Sequence, residues 1–140
     1  MDKPSKRLTI YVDGASRGNP GPAAIGVVIR DENGTTRVRL SSYIGSTTNN
    51  QAEYTALITA LEEARRLGGE HLEIRTDSQL IAEQVNGNYR VRNANIRPLY
   101  DEAMRLLAGF RRQTIAYVPR EQNSEADSLA NQALNDLKNA

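Results

Sequence analysis

Cysteine and tryptophan are missing from the 140 residues of this chain, and histidine occurs once, at His71. The absence of cysteine excludes a disulfide-linked scaffold, a thiol nucleophile and a zinc site built on thiolates. A single histidine disfavours both a histidine-rich metal site and a serine–histidine catalytic pair. A chain of this length is typical of one domain and buries roughly two-thirds of the surface that its unfolded form exposes.

An excess of charge of one sign is also lacking, because 18 basic and 17 acidic residues give a net charge of +1. This balance carries no overall electrostatic signal for nucleic acid. Fifteen of the cations are Arg, whose planar guanidinium suits phosphate, although a codon bias produces the same excess. Six Arg against two acids between Asn88 and Arg112 give a local charge of +4, which is typical of a solvated helix face.

Long apolar runs are absent as well. No stretch of about 18 apolar residues, the length of a membrane-spanning helix, is present. The polar segment Met1–Arg7 lacks the apolar core of a secretion signal. Together with the missing cysteine, these features predict a cytoplasmic protein that has no membrane partner.

The spacing of apolar residues predicts three strands followed by alternating helices and strands. A polar tail over residues 1–7 precedes a single predicted domain over residues 8–140. Asn33-Gly34 predicts a hairpin, so we expect the first three strands to form an antiparallel meander. The later alternation favours parallel strands with helices over the sheet. The predicted strands are Leu8–Val12, Ala23–Arg30, Thr35–Tyr43, His71–Thr76 and Gln113–Val118, and the predicted helices are Asn50–Leu67, Ser78–Asn86, Asn93–Phe110 and Ser124–Leu137.

Four carboxylates lie at the ends of predicted elements, where a site can form. Asp13 is predicted to end the first strand and to open a loop over Asp13–Pro22, and Asp77 lies between a strand and a helix. Glu53 and Asp127 lie near the starts of helices, on the side that carries the apolar residues. An unpaired carboxylate on such a face is costly to bury, so each of these two acids needs a cation.

Each acid also has an ordinary structural explanation. These explanations are a turn at Asp13-Gly14, capping boxes at Asn50–Glu53 and Ser124–Asp127, and a helix N-cap at Asp77. Clustered together, however, the four acids would repel one another, and no Lys or Arg shares their helix faces. Mg²⁺ would neutralise such a cluster, because it prefers carboxylate and phosphate oxygens. Two ions about 4 Å apart form a clamp for in-line attack on a phosphodiester.

Four motifs in chain order resemble those of type 1 ribonuclease H. They are Asp13–Pro22 (DGASRGNPGP), Thr47–Glu53 (TTNNQAE), Thr76–Ser78 (TDS) and Asn123–Ala130 (NSEADSLA). The resemblance covers the chain from residue 8 onward. It implies an α/β fold whose five-stranded mixed sheet, in the order 3-2-1-4-5, is flanked by helices. It also implies a monomer that uses Mg²⁺ or Mn²⁺ to cleave the RNA strand of an RNA–DNA hybrid, leaving 5′-phosphate and 3′-hydroxyl ends.

The resemblance carries residue roles by motif position. Asp13, Glu53, Asp77 and Asp127 resemble the metal-binding catalytic acids of the family. Residues that resemble its hybrid contacts are Ser16, Asn19, Thr48, Asn49, Asn50 and Gln79. Short polar side chains of this kind suit the 2′-hydroxyls and groove edges of an A-like helix. Turn chemistry at Asn19 and helix capping at Asn49-Asn50 stay open as alternatives.

The sequence departs from the family pattern at two places. Many members carry a His in the loop before the last helix, but Val118–Asn123 has none. Either Arg120 or Glu121 is expected to replace it, and we favour Arg120 because it can hold a phosphate. Some bacterial members also carry a basic protrusion with Trp, where this chain has only Gly87–Arg92. The Arg-rich segment around Arg97 is expected to do a reduced version of that work.

Two other functions are compatible with parts of this pattern. One is a module of the same fold that only binds nucleic acid, which the four intact acids disfavour because carboxylates repel a phosphate backbone. The other is a related nuclease such as a junction resolvase or an exonuclease, which the Asn-rich segment Thr47–Gln51 disfavours.

Overall fold

The computed structural model describes residues 6–138 of the chain. Three strands come first, and helices then alternate with two further strands, in the predicted element order. The elements are β1 (Arg7–Ser16), β2 (Gly21–Asp31), β3 (Thr36–Thr47), α1 (Asn49–Arg66), β4 (His71–Thr76), α2 (Gln79–Val85), α3 (Arg97–Leu107), β5 (Arg112–Tyr117), a short 3₁₀ helix (Arg120–Asn123) and α4 (Ser124–Lys138).

All five strands belong to one mixed sheet in the order β3-β2-β1-β4-β5. The meander β1–β2–β3 is antiparallel, whereas β4 runs parallel to both β1 and β5. The predicted α/β fold and the strand order are therefore confirmed. The parallel half follows from the connections, because a strand that returns through a helix re-enters the sheet in the same direction.

Helices cover both faces of the sheet. Alternate residues of a strand point to opposite faces, so Ile10 and Val27 join the core beneath α1 with its buried residues Leu57 and Leu61. On the other face α4 packs over β2 and β3 and buries Leu129. In residues 6–138, none of the helices combines the length and the apolar character that a bilayer crossing requires.

The first two strands are longer than predicted. Their antiparallel ladder continues to the pair Ser16 and Ala23, so Asp13 lies inside β1 and does not open a loop. Only residues 17–20 form the turn, closed by a 2.8 Å hydrogen bond from Arg17 N to the carbonyl of Pro22. The Gly- and Pro-rich composition misled the prediction because backbone pairing overrides it here.

Other parts of the chain also differ from the prediction, among them the start of β1, the start of α3 and the loop before α4. Arg7 is already part of β1, so the predicted tail over residues 1–7 is too long by this residue, and residues 1–5 lie outside the described part. Asn93 starts a turn, in which its side chain accepts from Asn95 N at 2.7 Å, and α3 begins only at Arg97. A 3₁₀ helix occupies most of the loop expected before α4.

Candidate active site

Two neighbouring strands bring the first two acids together. The parallel ladder of β1 and β4 ends with Val12 opposite Thr76, and the next residues are Asp13 and Asp77. Because the strands run side by side in one direction, both carboxylates emerge at the same edge of the sheet. In open α/β sheets this edge is the usual place for a ligand.

Two helices add the other acids. Glu53 is the fifth residue of α1, and Asp127 lies in the first turn of α4. The carboxylates of Asp13, Glu53 and Asp77 each offer an oxygen atom, and these atoms all lie within 4.8 Å of one another. Asp127 lines the same cleft, and its carboxyl group contributes to raising the pKa of Asp13.

Glycines in the strands allow the two helices to approach this closely. A Cβ atom on Gly14 would lie 2.3 Å from the backbone carbon of Ala52, the residue before Glu53. A Cβ atom on Gly26, which pairs with Asp13, would lie 2.0 Å from the carbonyl oxygen of Ala126. Glycine inside a strand often marks such a close backbone approach. Gly14 and Gly26 are therefore a sequence signal that could have indicated where the two helices meet the sheet.

Other residues cap the helices, which leaves the acids free for another role. Thr48 is the N-cap of α1, and it forms a capping box with Gln51, not the predicted box of Asn50 with Glu53. The Thr48 hydroxyl accepts from Gln51 N at 3.2 Å, and the Gln51 side chain accepts from Thr48 N at 3.1 Å. The structural explanation offered for Glu53 is therefore wrong.

The same holds for the two aspartates at the other helix starts. Ser78, and not Asp77, caps α2, and its hydroxyl accepts from Ile81 N at 3.2 Å. Ser124 already has helical backbone angles, φ −65° and ψ −32°, so it does not have the extended geometry of an N-cap. The 3₁₀ helix that runs directly into α4 explains this, because the chain is helical before Ser124.

Burial sets the protonation of the two innermost acids. Asp13 is 4% exposed and Glu53 is 6% exposed. Burial, followed by the charges of Glu53 and Asp77, raises the pKa of Asp13 to about 9. Burial and the charge of Asp77 raise the pKa of Glu53 to about 8, and a hydrogen bond from the Gly14 backbone opposes this rise.

Among the described residues, one basic side chain forms an ion pair with these acids. Arg120, at the start of the 3₁₀ helix, has its Nε 3.7 Å from Asp77 Oδ2, and its side chain is 81% exposed. Within residues 6–138 no other Lys or Arg comes within 4.0 Å of the four acids. Arg120 also lowers the pKa of Glu53, but by less than burial raises it. One exposed cation is therefore not enough to keep all four carboxylates ionised.

The donor set fits a hard divalent cation. All of the grouped ligand atoms are carboxylate oxygens, which suit Mg²⁺ or Mn²⁺ and not a soft metal. Glu53 Oε2 is buried and has no hydrogen-bond partner in the part of the chain that the structure covers. A buried carboxylate oxygen without a donor is costly, and a bound cation would supply the missing contact.

Comparisons with known proteins support a relationship over most of the chain. A family model described as reverse transcriptase-like matches residues 11–133. A ribonuclease HI of Halobacterium salinarum is 47% identical over 130 residues, which are 93% of this chain but 65% of that protein. A ribonuclease H of Dechloromonas aromatica is 32% identical, with 94% of this chain and 95% of that protein covered.

The chain belongs to the type 1 ribonuclease H family. A solved structure from the same family superposes with a TM-score of 0.88, at 41% identity over 93% of this chain and 98% of the other. It is LC11-RNase H1, isolated from compost by a metagenomic approach, in complex with an RNA/DNA hybrid.

The predicted hybrid contacts of this chain lie around the acids, but not all line the cleft. Asn49 lines it together with the four acids and Arg120. Asn19 lies beside it, because its Oδ1 accepts from Asn49 N at 3.0 Å and thereby joins the β1–β2 turn to α1. Thr48 caps α1, while Asn50 and Gln79 are exposed near the starts of α1 and α2. Ser16 is the last residue of β1.

The Arg-rich segment forms a second cleft next to α2. It is lined by Tyr89, Arg90, Arg92, Arg97 and Tyr100, with the Arg97 guanidinium 5.8 Å from the centre of the Tyr100 ring. No acidic residue of the described chain lines this cleft. The segment combines cations with the exposed ring of Tyr89, and Arg97 also pairs with Asp101 at 3.1 Å, outside the cleft lining.

One buried polar residue near the acids escaped the sequence analysis. Asn123 ends the 3₁₀ helix, is 1% exposed, and donates from Nδ2 to the Val12 carbonyl at 2.8 Å. It belongs to the fourth family motif, so its position was marked. The partner lies 111 residues away, and no local pattern signals such a contact.

Proposed function

We propose that this chain is a metal-dependent endonuclease that hydrolyses the RNA strand of RNA–DNA hybrids and leaves 5′-phosphate and 3′-hydroxyl ends. Residues 8–140 act as one nuclease domain, working as a monomer. The chain spans 65% of the length of the Halobacterium relative, so the proposal concerns the activity of this chain alone.

The cluster of Asp13, Glu53 and Asp77 carries the proposal. Three carboxylates with oxygens within 4.8 Å destabilise a folded protein unless cations neutralise them. A module that only binds nucleic acid gains nothing from such a cluster, since it would repel the phosphates. The complex of LC11-RNase H1, a relative that this chain covers to 98%, with an RNA/DNA hybrid supports the choice of substrate.

Asp13, Glu53, Asp77 and Asp127 would hold two Mg²⁺ ions, with Mn²⁺ as a possible substitute. When bound, two divalent ions generate the attacking hydroxide and stabilise the leaving oxygen of a phosphodiester. The contribution of the chain is to hold four carboxylates in fixed positions on two strands and two helices. Because Asp13 and Glu53 are buried against backbone, they cannot swing out to water when the cleft is unoccupied.

Neutral polar side chains around the acids are proposed to bind the hybrid. These residues are Ser16, Asn19, Thr48, Asn49, Asn50 and Gln79. Amide and hydroxyl groups can contact 2′-hydroxyls and groove edges without adding charge near the ions. The Asn19–Asn49 hydrogen bond keeps two of these contacts at a fixed separation. The cleft of Arg90, Arg92 and Arg97 offers further phosphate contacts, so affinity is expected to fall with salt.

Arg120 is proposed to assist turnover at the cleft. Its guanidinium lies beside Asp77 on an otherwise exposed side chain, so it can reach a phosphate at the edge of the acids. Arg keeps its charge at every working pH, unlike the His that many family members carry in this loop. Arg120 therefore acts by holding a phosphate and not by transferring a proton.

The test is a comparison of three labelled duplexes, RNA–DNA hybrid, double-stranded RNA and double-stranded DNA, each incubated with Mg²⁺, Mn²⁺ or EDTA. We expect cleavage of the RNA strand of the hybrid with either metal and none with EDTA. Mapping the products gives the end chemistry directly. The variant Asp77→Asn, purified in parallel, controls for a contaminating nuclease.

Cleavage of the hybrid by Asp77→Asn at the wild-type rate would contradict the assignment of the site. Cleavage of double-stranded DNA in preference to the hybrid would favour another nuclease of the superfamily. Tight hybrid binding without cleavage under every metal condition would favour the binding-only alternative.

A further inference from the structure

The segment between β5 and α4 is fastened at both of its ends to the strands that carry the catalytic aspartates. Val118 N donates to the carbonyl of Thr76 at 2.8 Å, and Asn123 Nδ2 donates to the carbonyl of Val12 at 2.8 Å. Thr76 directly precedes Asp77, and Val12 directly precedes Asp13. Both contacts therefore lie one peptide group away from a metal-binding carboxylate.

The two attachments differ in kind. The Val118 bond joins backbone to backbone and extends the pairing of β4 with β5, so it does not depend on a side chain. The Asn123 bond depends on one amide group, at the point where the β1–β4 ladder has ended. In the described chain, no other side chain donates to the Val12 carbonyl. Replacing Asn123 thus removes one attachment and leaves the other.

The orientation of the Asn123 amide follows from its partner, because a carbonyl only accepts hydrogen bonds and must face Nδ2. This leaves Oδ1 buried without a partner among residues 6–138. An unpaired buried acceptor costs free energy, so an amide is a poor choice for stability alone at this position. The donor to Val12 is the contact that explains an Asn here.

Asn123 also lies between the groups that must be held in register. It follows Arg120 by three residues at the end of the same 3₁₀ helix, and it precedes Asp127 by four residues at the start of α4. Asp127 lines the same cleft as Asp13, the neighbour of Val12. One amide therefore ties the entry of α4 to β1 beside the pair Asp13 and Asp127.

We propose that Asn123 is a positioning residue, which sets the separation of the Asp13 and Asp127 carboxylates through its hydrogen bond to Val12 and thereby the affinity of the site for divalent metal. This inference rests on the proposed function for the metal site. It goes beyond that function by naming a residue that touches neither metal nor substrate. Partners of this kind, which orient metal ligands, typically contribute about 10- to 100-fold to metal affinity or activity.

The experiment compares the full-length wild type with Asn123→Ala and Asn123→Asp. Mn²⁺ binding is measured by isothermal titration calorimetry without nucleic acid, and kcat and KM for the hybrid are measured separately. We expect both variants to bind Mn²⁺ about 10-fold more weakly and to lose about 10- to 100-fold in kcat. The KM for the hybrid stays within about twofold, because the neutral polar contacts proposed for the hybrid lie on other elements and Arg120 is proposed to act on turnover.

Asn86→Ala is the matched control. Asn86 is the C-cap of α2, and its Nδ2 donates to the Ile115 carbonyl of β5 at 3.1 Å. It is the same type of bond, from an Asn side chain to a strand carbonyl, but it lies away from the four acids. We expect Asn86→Ala to lower the melting temperature without changing Mn²⁺ affinity, kcat or KM.

Several results would overturn the inference. Wild-type Mn²⁺ affinity and kcat in Asn123→Ala would do so, and so would equal losses in Asn86→Ala, since these would reflect general destabilisation. If neither Asn123 variant folds, the contact serves the fold and the inference fails. If the wild type binds Mn²⁺ in an Asn123-dependent manner but does not cleave the hybrid, only the proposed function fails.

Discussion

The four acids form an inner and an outer pair, which differ in how deeply the residues are buried and in their contact with Arg120. The inner pair, Asp13 and Glu53, is buried beneath backbone, and burial raises the pKa of both groups. The outer pair, Asp77 and Asp127, is less buried when whole residues are compared, although the Asp77 side chain itself is only 8% exposed. Arg120 reaches only the outer pair, at Asp77.

The difference separates two tasks of the site. The inner pair is fixed by the fold itself, because Gly14 admits the backbone of α1 beside it and leaves no space for a side chain. The outer pair lines the cleft together with the exposed side chain of Arg120 and can meet substrate there. An inner substitution should therefore change both catalysis and the stability of the metal-free protein, whereas an outer substitution should mainly change catalysis.

The largest expected effect is the loss of cleavage in Asp13→Asn and, equally, in Asp77→Asn. Each replaces a charged metal ligand with a neutral amide, and we expect kcat to fall by about 10³-fold or more, as when a principal electrostatic group is removed from an active site. A gel assay with labelled hybrid measures the rate, and a gel-shift assay in Ca²⁺ tests whether binding survives.

Only the inner variant should also stabilise the metal-free protein strongly. Asp13→Asn removes the cost of protonating a buried carboxyl group on folding, whereas Asp77→Asn removes only a neighbour that raises the pKa of Asp13 and Glu53. We expect the larger rise in melting temperature in EDTA for Asp13→Asn, at about 2–4 °C per kcal/mol. Equal shifts in the two variants would remove the distinction between the pairs.

The next effect comes from filling the space beside the inner pair. In Gly14→Ala the new Cβ would lie 2.3 Å from the backbone of Ala52, so α1 must move and Glu53 moves with it. We expect a loss of about 1–3 kcal/mol in the free energy of unfolding, as for other overpacked sites. Urea denaturation measures this loss, and kcat should fall in parallel.

Gly109→Ala is the control for Gly14→Ala. Gly109 is exposed, and a Cβ atom there meets only the Leu106 carbonyl oxygen, at 3.3 Å. We expect stability and kcat close to those of the wild type. If Gly14→Ala behaved like this control, the close approach of α1 would not position Glu53.

The order of these effects could be anticipated from the sequence only in part. Motif positions and helical spacing marked all four acids, because acids on apolar helix faces and at strand ends are conspicuous. The division into an inner and an outer pair was not predictable. It depends on β1 continuing past Asp13, whereas the Gly- and Pro-rich composition favoured a loop there.

The capping residues show the same limit. Asn50, Asp77 and Ser124 are all acceptable N-caps by residue type, and the choice of Thr48 and Ser78 depends on where each helix actually begins. The strand order came from the family resemblance and not from periodicity, which indicates strands but not their neighbours. Contacts such as that of Asn123 with Val12 join distant parts of the chain and need the fold.

The pH dependence of stability tests the protonation of the inner pair and is expected to be a smaller effect. In the folded metal-free protein both inner acids are protonated below about pH 6. In the unfolded chain the same two groups have ordinary carboxyl pKa values and are already ionised above about pH 5. The folded state therefore binds more protons between about pH 4 and 9, and its stability falls as pH rises through this range. Mg²⁺ should reverse this trend, because it favours the ionised carboxylates.

The measurement is the difference in melting temperature between the wild type and Glu53→Gln, taken in EDTA at several pH values. The variant cannot ionise, so it should match the wild type near pH 4, become steadily more stable than the wild type as pH rises, and keep a constant advantage above the Glu53 pKa of about 8. Subtracting the two curves cancels groups with lowered pKa, such as Glu125 beside Arg39 and Arg30. A difference that stays constant with pH would mean that Glu53 is not held in a protonated form.

The smallest expected effect is that of Arg120→Ala at the outer pair. The side chain is mostly exposed and lies 3.7 Å from Asp77, so its electrostatic contribution is screened by solvent. Removing it should leave the fold and metal binding intact and lower kcat about 10-fold, with a smaller change in KM, because its proposed role begins after the hybrid has bound. Arg120→Lys should restore part of kcat if charge alone matters and little if the planar guanidinium is required. Steady-state kinetics of the three proteins decide between these outcomes, and values of kcat and KM equal to those of the wild type in Arg120→Ala would show that the outer pair works without a cation from this loop.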